Sequence, residues 1–125
     1  MNANTQANTQ IRVEIVLGTL RGAGDSVYSR KGEPNTPECV NAIITILHER
    51  ISAITGGATI LRGEGSWHND NGTLVREPNI IVSTIAENTP SVIWELRLVA
   101  AYAKGYLSQD SVLFAVHPVT SVEFL

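Results

Sequence analysis

The segment Gly63-Glu64-Gly65-Ser66-Trp67-His68, followed by Asn71-Gly72 and Val75-Arg76-Glu77-Pro78, gathers the side chains best suited to chemistry in this chain. Asn-Gly is a strong hairpin signal, and Trp67 and Glu77 stand 10 positions apart with that pair between them. Strand pairing across the turn brings ring and carboxylate close together. An indole face beside an acid suits a cationic or heteroaromatic ligand. The ring supplies stacking and cation–π attraction of about 0.5 to 2 kcal/mol, and the carboxylate supplies charge and direction. The same residues also allow a plainer arrangement, a Trp packed at a sheet edge and Glu77 paired with Arg62 or Arg76, and the sequence leaves both open. Pro78, Gly63 and Gly65 disturb an otherwise regular strand, which favours a site. Gly65, Ser66, His68 and Arg76 are its candidate ligand contacts.

Other chemistry is weaker. Gly18 to Gly24, GTLRGAG, invites comparison with a phosphate loop, but that loop needs a Lys before its Ser/Thr and this segment has Asp25 before Ser26. Its glycines then serve conformation, while Arg21 is placed to reach an anionic or carboxylate ligand. His48, His68 and His117 fall on a helix, a loop and a strand with no His or Cys partner at ligand spacing, so no metal is expected. Cys39 opens a helix without an evident base, and no thiol chemistry is assigned to it. Asn71-Gly72-Thr73 is a formal glycosylation sequon that reads here as a turn.

The bulk properties exclude several classes. A chain of 125 residues with 43% apolar and 17% charged side chains is one soluble globular domain. No apolar run approaches the roughly 20 residues of a membrane span. Nine basic against 12 acidic side chains give a net charge of −3. With no Lys/Arg cluster, neither nucleic acid nor a membrane is an expected partner. A single cysteine and no signal segment point to the cytoplasm.

The elements that must hold the site follow from periodicity. The repeated ANTQ of residues 3 to 10 has nothing to bury and reads as a disordered tail, leaving one domain over residues 11 to 125. Ile11, Val13, Ile15 and Leu17 alternate as a strand. A long Gly-rich and charged loop spans Gly18 to Asn35. Thr36-Pro37-Glu38 then opens a helix, whose stripe Val40, Ile43, Ile44, Leu47, Ile51, Ile54 ends at Gly56-Gly57. A strand is expected around Ala58 to Arg62, and a return strand over Thr73 to Ala86 with an edge or bulge at Pro78. Thr89-Pro90 opens a second helix to Tyr106, with Val92, Leu96, Val99 and Ala103 available to pack. The apolar strand SVLFAVHPV follows, and a short edge strand is expected at Val122 to Leu125.

This order is βαββαβ, a ferredoxin-like α+β fold with an antiparallel sheet and two helices on one face. Ile80, Val82 and Ile81, Ile85 in one strand are apolar on opposite faces, as are Val112, Phe114, Val116 and Leu113, Ala115 in another, and two helices cover only one of those faces. That predicts an oligomer, a dimer or a threefold assembly, with a ligand cleft between subunits.

Two resemblances rest on these residues. GEGSWHNDNGTLVREPNIIV, LRLVAAYAKGYLSQDSVL and the closing VEF resemble an uncharacterised bacterial domain-of-unknown-function family over residues 57 to 125, which implies a fold and no activity. The chain is also similar to phage-encoded S-adenosylmethionine lyases, which have a PII-like chain order. They carry a Gly-x-aromatic followed about ten residues later by a glutamate, and a Gln-Asp before the last strand. The matching positions are Gly65, Trp67, Glu77, Gln109 and Asp110; the family's aromatic is a tyrosine, so Trp67 lacks its hydroxyl. The resemblance implies a trimer with sites between subunits, no cofactor, and an intramolecular reaction. The substrate's carboxylate attacks its own γ-carbon and expels methylthioadenosine, leaving homoserine lactone. It gives Glu77 the ammonium or the sulfonium charge, Trp67 a stacking role, and the Gly18 to Asn35 loop the mouth of the site. A non-catalytic PII-like module that binds a nucleotide-type ligand is the competing expectation.

Overall fold

The computed structural model describes residues 9–21 and 32–125. Its elements are β1 (Gln10–Gly18), α1 (Pro37–Thr55), β2 (Thr59–His68), β3 (Leu74–Glu87), α2 (Pro90–Tyr106) and β4 (Leu113–Pro118). The strands form one antiparallel sheet in the order β2-β3-β1-β4. Residues 1–8 of the expected tail and residues 22–31 of the expected loop lie outside the described residues. Thr9 and Gln10, expected in the tail, instead join the sheet's end: Gln10 pairs with Glu87 in β1, and Thr9 O accepts from Asn88 N at 2.9 Å.

Both helices start where a threonine can satisfy a first-turn N–H. Thr36 Oγ1 accepts from Cys39 N at 3.1 Å and Thr89 Oγ1 from Val92 N at 3.3 Å, each followed by a proline that has no N–H to lose. α1 stops at Gly56, whose φ of +98° suits a residue without a Cβ. The core lies between the helices and one sheet face. Ile11, Val13, Ile15 and Leu17 of β1 meet Ile80 and Val82 of β3, Ile43, Leu47 and Ile51 of α1, and Leu96 and Ala103 of α2, all closed to solvent. Val92, expected in the core, is only partly buried at its margin.

Other features also differ from the sequence expectation. β2 does not end at Arg62 but runs to His68, because its two glycines accept the neighbouring strand's side chains. A Cβ on Gly63 would lie 2.7 Å from Asn79 Oδ1, and one on Gly65 3.1 Å from Asn79 Nδ2. Pro78 creates no bulge, and the β2–β3 register passes through Glu64↔Pro78 unbroken. Its carbonyl accepts from Thr19 N at 3.0 Å. A strand residue's N–H and C=O face the same neighbour, so the missing donor falls on the β1 side, past the last β1–β3 pair, and costs the β2 ladder nothing. Residues 119–125 form no strand, and Phe124 and Leu125 are exposed.

The other sheet face carries Leu61 and Leu113, 59% and 54% exposed. It is more polar than expected, since Glu14 on β1 pairs with Arg12 at 3.1 Å and lies 3.4 Å from His117 on β4. No helix among the described residues is long and apolar enough to cross a membrane.

Candidate functional site

The β2–β3 hairpin closes through Asn69–Thr73. Asn69 Oδ1 accepts from Asn71 N and Thr73 N at 3.0 Å each, and Gly72 takes φ +76°. In the register this fixes, Glu77 lies opposite Gly65 and Trp67 opposite Val75. Trp67 and Glu77 are therefore diagonal neighbours on one face of the sheet, within reach for an aromatic and a long side chain. Both line a cleft of about 480 Å³, which Leu20, Arg21 and Gln109 complete from the loop after β1 and the chain after α2.

The floor under Glu77 is Gly18, the last residue of β1. A Cβ there would stand 2.5 Å from Glu77 Oε2 and 2.7 Å from Gln109 Oε1, so only glycine lets these two oxygens converge. The amide of Gln109 cannot be turned the other way. Its Nε2 donates to Leu20 O at 2.5 Å and to Leu107 O at 3.3 Å, which commits Oε1 to the side of the carboxylate. Both acceptors thus lie within 2.7 Å of one point above Gly18, an arrangement suited to a donor-bearing or cationic group.

Asn35 ties this corner together. Buried, it donates from Nδ2 to Thr19 O and Leu107 O, both at 2.9 Å, and so joins the end of β1 to the end of α2. Arg21 reaches Ser108 Oγ at 3.2 Å and Asn35 Oδ1 at 3.5 Å. Ser108 is in the left-handed region with φ +53°, a conformation that costs a non-glycine residue and that clusters at functional sites. It bends the chain so that Gln109 returns over the cleft.

Of the residues singled out from sequence, Trp67, Glu77, Arg21 and Gln109 come together at the cleft, and Gly65 sits directly across from Glu77. Ser66, His68 and Arg76 do not join them. Strand alternation sends these three to the opposite face, where Arg76 Nε donates to Glu64 Oε1 at 2.9 Å. The alternative pairing of Glu77 with Arg62 or Arg76 is absent, because Arg62 is also on that face and bonds Asn41 Oδ1 at 2.6 Å. Gly18, Asn35 and Ser108 join the site without a sequence signal: Gly18 stands at the head of a Gly-rich, loop-like segment yet ends β1, and nothing local marks the other two. Among the described residues no three His, Cys, Asp or Glu side chains cluster to hold a metal.

Residues 41–124 match the family model described as "Protein of unknown function (DUF3574)". The chain belongs to this family. No curated protein sequence matches it. Among solved structures it is similar to a phage SAM lyase in complex with S-methyl-5'-thioadenosine, at 16% identity over 91% of this chain and 92% of that one, TM-score 0.57. It is also similar to the periplasmic divalent cation tolerance protein CutA from Archaeoglobus fulgidus, at 10% identity over 91% and 87%, TM-score 0.57. The divalent cation tolerance protein from Thermus thermophilus gives 10%, 91% and 87%, TM-score 0.54. This DUF3574 chain thus has the ferredoxin-like, PII-like fold of both groups, and identities so low carry the fold alone.

Proposed function

We propose that this protein is an S-adenosylmethionine lyase, cleaving its substrate to methylthioadenosine and homoserine lactone in the Trp67–Glu77 cleft. The observation that carries the reading is the convergence of Glu77 Oε2 and Gln109 Oε1 above Gly18, beside an indole. Among the described residues no donor or cation pairs with Glu77.

The reaction asks for no protein nucleophile. The substrate carboxylate forms a C–O bond to the γ-carbon as the C–S bond breaks, the bonding pair leaves on sulfur, and the sulfonium becomes a neutral thioether. The protein's part is to fold the chain so that carboxylate and γ-carbon meet, a proximity effect of up to about 7 to 11 kcal/mol. Glu77 and Gln109 accept from the ammonium, Trp67 stacks on the adenosine or faces the sulfonium, and Arg21 holds the rim. A second copy on the open sheet face, covering Leu61 and Leu113, completes and dries the cleft, in a dimer or a threefold assembly. The compartment proposed with it is the cytoplasm.

A second reading is a PII-like module that binds a nucleotide-type ligand without turnover. It is favoured by the exposure of Trp67, 51% in the single chain, which leaves water free to enter. Incubation of the purified protein with S-adenosylmethionine separates the two. Equal amounts of methylthioadenosine and homoserine lactone by chromatography support the lyase. A ligand-induced melting shift with the ligand recovered intact supports the module and overturns the enzyme.

A further inference from the structure

α2 packs Leu96, Val99, Ala100 and Ala103 into the core, yet its outward side is apolar too. Trp94, Leu98 and Tyr102 follow at every fourth position, 59%, 51% and 40% exposed. Ala101 and Gly105, also exposed, lie between and beyond them. A second apolar stripe on the side of a helix away from the core marks a surface that a partner covers.

The outward residues Trp94, Leu98, Ala101 and Gly105 alternate spacings of four and three, the pattern of a helix–helix seam. Laid antiparallel on a second α2, Trp94 meets Gly105 and Leu98 meets Ala101, large against small in every layer. Gly105 is the residue this chain explains least by itself. It has no positive φ, and a Cβ there would meet nothing within 4 Å, while glycine in a helix costs up to about 1 kcal/mol against alanine. An incoming indole supplies the missing reason.

Charge agrees with the same pairing. Glu95 and Tyr102 lie on the seam's flank nearest α1, where Arg50 stacks over the Tyr102 ring at 4.4 Å. Like flanks face each other in an antiparallel pair. The Glu95 carboxylate of each copy therefore arrives at the guanidinium of Arg50 and the hydroxyl of Tyr102 in the other, twice by symmetry. The opposite flank brings Arg97 towards Lys104, but Arg97 is turned onto the Phe114 ring at 5.7 Å.

We propose that the outward face of α2 is a two-fold self-association surface, with Trp94 seated on Gly105 of a second copy and Glu95 paired with Arg50 across the axis. It is separate from the cleft and does not depend on the lyase reading. Sedimentation equilibrium of the full chain over a range of concentrations tests it. The wild type is expected at twice the mass of Leu98→Glu and Gly105→Leu, with melting temperatures showing that both variants fold. Arg50→Glu and Glu95→Arg should each raise the apparent Kd about tenfold, and the double variant should return it towards wild type. Equal masses for wild type and Leu98→Glu at every concentration would overturn the proposal, whatever other partner the stripe takes. So would a double variant no tighter than either single one.

Discussion

At the scale of single residues the site is an arrangement of acceptors held over a glycine. Gly18 has an ordinary φ, so alanine is acceptable to the backbone there, and only the space is wrong. Gly18→Ala places a methyl 2.5 Å from Glu77 Oε2 and 2.7 Å from Gln109 Oε1, and both side chains must swing away. A displacement near 1 Å can cost about 100-fold in rate. The expected outcome is a loss of that order in methylthioadenosine release, with a melting temperature close to wild type. Retained activity would show that the convergence of the two oxygens is incidental. Trp67 and Glu77 were legible in the sequence because a hairpin signal lies between them. Their diagonal offset was not, since it depends on a five-residue turn, Asn69–Thr73, which sets Glu77 opposite Gly65. The register also puts Ser66, His68 and Arg76 on the face opposite Trp67 and Glu77. Neighbours in sequence are on opposite faces of a strand, and grouping them by sequence proximity ignores the period of two.

At the scale of elements, the two helices and the first strand could be read directly, since caps, prolines and apolar spacing all agreed there. The boundaries that failed did so for long-range reasons. Gly63 and Gly65 look like strand breakers until Asn79 is seen lying across them, and Pro78 looks like one until its carbonyl is seen to face Thr19 rather than β2. The tie between the end of β1 and the end of α2 is of the same kind, as Asn35 bonds Leu107 across 72 positions. Asn35→Ala leaves two carbonyls, Thr19 O and Leu107 O, without this donor. The expected cost is about 1 to 3 kcal/mol in urea titration, together with a fall in activity as Gln109 and Arg21 lose their footing. A variant as stable as wild type would show that Asn35 does not join these segments.

At the scale of the whole molecule, the sheet has one face sealed by helices and one with Leu61 and Leu113 open to solvent. Placing a charge at the centre of a contact between copies is far more damaging than placing it on a free surface. Leu113→Glu is therefore expected to lower the mass measured by light scattering and to reduce turnover with it, while the isolated fold survives. Unchanged mass would mean that the open face meets no second copy, and the cleft would then have to work as one chain presents it.

The central claim is that the cleft acts through the negative charge of Glu77. Glu77→Gln keeps the shape and removes the charge, and no ion pair or hydrogen bond among the described residues is lost with it. The most direct measurement is the initial rate of methylthioadenosine release from S-adenosylmethionine by wild type and Glu77→Gln, with their melting temperatures compared. The account expects a measurable wild-type rate, a fall of about 100-fold or more in the variant, and equal stability. Equal rates, or no product from the wild type, would contradict it.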